Sequence, residues 1–144
     1  MISRVIKEMT PEKLAELEAH LAKEVEAEHA SEPISIRLAT EFHILLAKLA
    51  GSPVLLRYVE EIGYRCGLTL SLYARPHSTD CGIQEHRQII DALACGDEEK
   101  ARELMRSHLT AVADRALITR KEAGPLVYLD ALEPYARKVR DGQE

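Results

Sequence analysis

Apolar positions recur at helical spacing from near the first residue to about residue 123, with short polar breaks between the runs. Thr10-Pro11-Glu12 carries a start signal: a capping hydroxyl, a proline suited to the first turn, and an acid that complements the helix dipole. Leu14, Leu17, Leu21 and Val25 then form one stripe, and that helix is expected to end near Ala30. Ser31-Glu32-Pro33 opens a helix running to Gly51, and Ser52-Pro53 opens another running through Tyr73. A loop is expected over 74–82 and a helix over 83–95. Gly96 stops that helix, Asp97 caps a long one reaching about residue 123, and Gly124-Pro125 ends it. Ahead of Thr10 there is room only for the last turns of a first helix, at about residues 2–8. No stretch alternates as a strand would. The pattern predicts an all-α antiparallel helical bundle over residues 1–123, followed by a tail over 124–144 with at most a short helix near 130–140.

Three of these stripes contain a histidine where leucine would be ordinary. His43 falls among Ala39, Leu46 and Ala50, beside Leu38, Phe42, Leu45 and Leu49. His86 shares a face with Ile83, Ile90 and Leu93. His108 shares one with Ala101, Leu104, Ala111 and Val112. One such histidine is most simply a hydrogen-bonded core residue. Three from three helices suggest a shared partner, because every buried ring needs one for its polar nitrogens. The heights agree as well. His86 lies ten residues before Gly96 and His108 twelve after it. At ~1.5 Å per residue the two rings stand about 15 and 18 Å above the turn. His43, eight residues before Gly51, is also mid-helix. The small residues Ala39, Ala101 and Ala111 leave space for something other than side chain, and a divalent metal is the usual common ligand of imidazoles. His20, next to Glu16 and Glu24 on its helix, is expected at the surface; His29 closes a charged helix end, and His77 lies in the loop.

Composition narrows the function. A chain of 144 residues suits one domain with a real core. Its net charge of −5, with basic residues interleaved among acids, argues against a surface that neutralises phosphates. No window is long and apolar enough to span a membrane, and the first residues lead straight into charge rather than reading as a signal peptide. Cys66, Cys81 and Cys95 are widely spaced, so a reduced, cytoplasmic protein is expected. Cys66 and Cys95 are expected in the core, and Cys81 nearer the surface.

The run from Glu41 to Ser52, with Phe42-His43 and Ala50-Gly51 inside it, resembles a segment of the FCD domain, the C-terminal effector-sensing domain of FadR-subfamily GntR transcription regulators. Glu85-His86, Ile89, Ala92 and Leu93 match a second motif of that family. Gly96-Asp97, Ala101, Met105 and His108-Leu109 match a third, in the family's order. The resemblance covers about residues 5–120. It implies a helical bundle around a central polar pocket, in which an Asp and three His hold a divalent metal that helps bind a small organic acid. The three His map onto His43, His86 and His108. The Asp maps onto Ala39, so this chain lacks the anionic ligand. Three neutral imidazoles still suit Zn²⁺ or Ni²⁺, with a site charge of +2 and positions left for water or a carboxylate.

From position along the helices, Tyr58, Ile62, Arg65 and Thr69 are expected on the pocket side of their helix, with Arg65 placed to clamp a carboxylate. Arg115 is a further candidate. The residues before Pro11 are too few for a winged helix-turn-helix, so DNA contact is expected only through a part this chain lacks. The leading expectation is an effector-binding, homodimerising regulatory domain and not an enzyme. A helical-bundle metalloenzyme is the alternative, but no carboxylate stands out as a general base beside the ligands. Glu85 adjoins His86 yet faces away from it. A structural domain whose metal site decayed with Ala39 is the third reading.

Overall fold

A computed structural model describes residues 1–27, 32–73 and 80–116. Among them are six helices and no strand: α1 (Ile2–Lys7), α2 (Pro11–Glu26), α3 (Glu32–Leu49), α4 (Pro53–Tyr73), α5 (Asp80–Ala94) and α6 (Glu98–Ala116). The all-α bundle is the one the hydrophobic pattern predicts. The expected helix end near residue 123, His29, His77 and the tail over 124–144 lie outside the described residues. The loop expected over 74–82 is shorter at its far end, because Asp80, Cys81 and Gly82 form the first turn of α5.

The boundary signals act as their chemistry dictates. Thr10 Oγ1 accepts a hydrogen bond from the Lys13 amide at 3.3 Å, Ser52 Oγ from Leu55 at 3.4 Å, and Asp97 Oδ1 from Lys100 at 3.0 Å. Gly96, at φ 71°, closes α5, and the Asp97 amide reaches back to the Ala92 carbonyl at 3.0 Å. That left-handed turn is what reverses the chain into α6 and sets the histidines of the two helices at one level.

The core joins Leu17 and Leu21 of α2, Phe42, Leu46 and Leu49 of α3, Ile89, Ile90 and Leu93 of α5, and Ala101 and Met105 of α6. Short α1 closes one end: Val5 is fully buried, and Ile2 nearly so. Arg4 Nε and Lys13 Nζ donate to the Ala50 and Leu49 carbonyls at 2.9 and 3.4 Å, placing two cations on the negative end of α3.

The face of α4 differs from the expectation. Tyr58, Ile62 and Arg65 point outward: Tyr58 and Ile62 are more than half exposed, and Arg65 pairs with Glu61 at 2.8 Å on the surface. The opposite face, carrying Gly63 and Gly67, rests on α3. A β-carbon on Gly67 would stand 2.9 Å from Thr40 Oγ1, and one on Gly63 3.2 Å from Thr40 Cγ2. Two glycines four residues apart let the helix backbones approach there, and that contact fixes the rotation of α4. Thr69 turns its hydroxyl to the Arg65 carbonyl at 2.8 Å. Cys66 and Cys95, expected in the core, are exposed free thiols, as is Cys81: Cys66 sits on the outer side of α4, and Cys95 at the open end of α5.

Candidate metal centre

The three stripe histidines meet. His108 Nε2 lies 3.1 Å from His43 Nε2 and 3.2 Å from His86 Nε2. His86 is fully buried, His108 nearly so, and His43 partly. One helix supplies each: α3, α5 and α6. Phe42, itself without exposure, stacks on the His86 ring at 3.9 Å and meets the His43 ring edge-on at 5.6 Å. The apolar α3 face thus holds two rings at once.

Each of the two deeper histidines is held from behind by a carboxylate. His86 Nδ1 donates to Glu24 of α2, at 2.8 Å to Oε2 and 3.1 Å to Oε1. His108 Nδ1 donates to Glu85 Oε2 at 2.7 Å. A neutral ring that donates from Nδ1 presents a lone pair at Nε2. The His86 and His108 Nε2 atoms then face each other at hydrogen-bond distance with no hydrogen between them. Neutral His43 can supply one N–H to His108 but none to that second contact. The three histidines can each offer a nitrogen, all within 4.8 Å of one another, a donor set that could hold one metal ion. Metal–nitrogen bonds of ~2.0–2.1 Å at tetrahedral angles set ligand nitrogens about 3.3–3.4 Å apart, close to both separations observed.

Glu24 and His20 correct the sequence reading. Both are buried, not solvated. His20 Nε2 lies 2.9 Å from the Leu38 carbonyl and 3.4 Å from Glu24 Oε1, which places Glu24 between His20 and His86. Its partners explain its burial: a carboxylate in the core needs donors, and two imidazoles supply them. Val25, assigned to the stripe, is instead exposed. The signal for Glu24 was its spacing, three residues after Leu21 and seven after Leu17. Glu85, expected to point away from the site, instead joins it: its carboxylate takes the Nδ1–H of the same His108 ring whose Nε2 meets His86. The Arg115 side chain lies outside the described residues, and Tyr58 and Arg65 take no part in this cluster.

The electrostatics follow the geometry. Burial pushes the His43 ring down to about 3, because a cation there would be stripped of water. Burial alone would raise the Glu24 carboxyl, but hydrogen bonds from His20 and His86 outweigh it and hold Glu24 below its usual value. The bond to Glu24 raises His20 against the opposing effect of its burial.

A pH dependence follows, with its sign set by where protons bind. Between about pH 6.5 and 3 the unfolded chain binds a proton at residue 43 more readily than the folded one. The stability from neutral His43 is complete above pH 6.5 and is lost as pH falls. Glu24 acts in the same direction at lower pH: its contribution is present above 4.5 and lost below. His20 has the opposite sign: its contribution is full below 6.5 and lost as pH rises through its raised value. The metal-free protein is therefore expected to lose melting temperature between pH 6.5 and 4.5 more steeply than a His43→Leu variant. Equal slopes in a thermal melt series contradict the buried, neutral state of His43.

Comparisons with known proteins agree with this bundle. The family model for the FCD domain matches residues 1–111. Among solved structures, E. coli McbR/YncC is similar with a TM-score of 0.68 at 20% identity, over 78% of this chain. This chain corresponds to 55% of that one's length, and the likeness is one of fold. No curated protein matches the sequence. Matched over residues 1–111, the chain belongs to the FCD family, the effector-sensing regulatory domains of GntR-type transcription regulators, which are not enzymes.

Proposed function

We propose that this domain binds a divalent metal through the Nε2 atoms of His43, His86 and His108, and that the metal receives a small carboxylate effector. The carrying observation is the pair of Nε2–Nε2 contacts at 3.1 and 3.2 Å, with the Nδ1 atoms of His86 and His108 committed to carboxylates. Zn²⁺ or Ni²⁺ suits an all-imidazole donor set. Bound there, the metal supplies a Lewis-acid centre with positions left for an anionic oxygen. The unexposed Phe42 ring, stacked on His86 and edge-on to His43, holds two of the three rings and keeps water from that side. In this reading the domain works in the cytoplasm and acts on DNA through a winged helix-turn-helix that belongs to the same regulator.

A homodimer completes the proposal. Val54, Tyr58, Ile62, Leu68 and Leu72 are each more than half accessible along the outer face of α4, on either side of the Glu61–Arg65 pair. A second copy would cover that face.

The test uses untagged protein stripped with chelator. Zn²⁺ or Ni²⁺ is expected to raise the melting temperature by several degrees, and one or more members of a panel of dicarboxylates and sugar acids to raise it further in the presence of metal. No shift with either metal overturns the metal centre. A metal shift with no response to any acid overturns the carboxylate part. Light scattering on the same samples is expected to give a dimer mass, and a monomer at high concentration removes the dimer.

A further inference from the structure

The two carboxylates behind the cluster are on different helices and serve different rings. Glu24 of α2 takes both of its oxygens to His86 Nδ1, and Glu85 of α5 takes one to His108 Nδ1. Glu24 is almost fully buried, whereas the Glu85 side chain is a quarter exposed. Neither is within the set of converging nitrogens. A carboxylate on the far nitrogen of a ligating imidazole fixes its tautomer, fixes its rotation and raises its basicity. The charge matters as well. Three neutral imidazoles around a divalent ion leave +2, and two carboxylates one hydrogen bond behind bring the assembly to neutrality.

We infer that Glu24 and Glu85 are positioning residues for the metal, and that their charge balances the ion at a site where Ala39 supplies no anionic ligand. This rests on the metal reading above. It assigns the missing negative charge to the layer behind the ligands instead of to the effector. It also accounts for a charged side chain in the middle of the α2 core face, where apolar packing would otherwise place leucine. Through Glu24 the arrangement extends to His20 and the Leu38 carbonyl, so the ligand ring on α5 is tied to α2 and to the backbone of α3. The effector's carboxylate would then be selected by the open coordination positions, with no surplus positive charge to satisfy.

Glutamine tests the charge with little change in shape, since its carbonyl oxygen still accepts the Nδ1–H bond. Zn²⁺ affinity is measured by competition with a chromophoric chelator for the full chain, Glu24→Gln, Glu85→Gln and Glu18→Gln. Glu18 is an exposed control on α2. Loss of a carboxylate behind a ligating histidine typically weakens binding roughly 10–100-fold. Glu24→Gln is expected near the upper end, where solvent does not screen the charge, and Glu85→Gln near the lower end. Glu18→Gln is expected to match the parent. A second readout is the visible spectrum of the Co²⁺ form, whose bands are expected to shift in both site variants; a merely structural role would leave them in place. If the parent binds Zn²⁺ and both variants bind it equally well, this inference is overturned while the metal reading stands. If the parent binds neither Zn²⁺ nor Co²⁺, the metal reading fails, and this inference with it. Should Glu24→Gln not fold, Glu85→Gln decides alone: parent-like affinity overturns the inference, and a loss with a shifted spectrum supports it.

Discussion

Phe42→Ala is expected to destabilise the metal-free domain by about 3–5 kcal/mol, the usual cost of deleting a fully buried aromatic ring. Phe42 has no exposure and belongs to the core that joins α2, α3, α5 and α6. Removing its ring leaves a cavity against His86, which stacks on it at 3.9 Å, and against the edge of His43 at 5.6 Å. For a domain of this size the loss corresponds to a fall in melting temperature of roughly 10–15 °C. It is a large share of the ~5–15 kcal/mol by which such domains are stable. Phe42→Leu refills much of the volume and is expected to cost only about 1–2 kcal/mol. Both variants remove the stacked plane that holds the His86 ring, so both are expected to lose Zn²⁺ affinity. Denaturant titration checks the stability part. A loss below about 1 kcal/mol for Phe42→Ala would mean that the ring does not pack as described. Parent-like Zn²⁺ affinity in the well-folded Phe42→Leu variant would mean that stacking does not orient His86.

The histidines were legible because each interrupts a stripe whose other members are apolar. Periodicity alone placed His43, His86 and His108 inward, and the count of residues from Gly96 placed two of them at one height. The carboxylates were not legible in that way. Glu24 lies on the Leu17–Leu21 face by spacing, but a lone acid in a charged helix is most simply read as solvated, and only the position of His86 on α5 makes its burial favourable. Glu85 was set aside because neighbours on a helix point apart. Neighbouring positions do diverge along α5, yet the two side chains reach different nitrogens of one ring, His86 at Nε2 of His108 and Glu85 at its Nδ1. Pairings between helices depend on how each is rotated, and one helix's pattern does not contain its neighbour's rotation. The same limit explains α4. Its apolar residues suggest an inner face, yet Gly63 and Gly67 give closer contact on the other side, against Thr40 and Ile44. The candidates Tyr58 and Arg65 were drawn from the face that the glycines turned outward.

Ala39→Asp is the substitution expected to change metal binding most. Residue 39 is partly buried on α3, one turn before His43 and on the same face. A carboxylate there would add a direct anionic ligand to three imidazoles, and Zn²⁺ binding is expected to tighten at least about tenfold, equivalent to ~1.4 kcal/mol. The effect on the effector should run the other way. With Glu24 and Glu85 already balancing the ion, a third carboxylate makes the assembly net negative and occupies one coordination position. Any acid that raises the melting temperature of the metal-loaded parent is therefore expected to act more weakly on Ala39→Asp. Combining it with Glu24→Gln separates charge from geometry. If the new ligand replaces the lost charge, the double variant should recover much of the affinity that Glu24→Gln loses. If it instead remains as weak as Glu24→Gln, the charge of Glu24 acts through the His86 ring it contacts, and a charge placed elsewhere at the ion does not replace it. Unchanged Zn²⁺ affinity in Ala39→Asp alone, with the fold intact, would place the fourth coordination position away from residue 39.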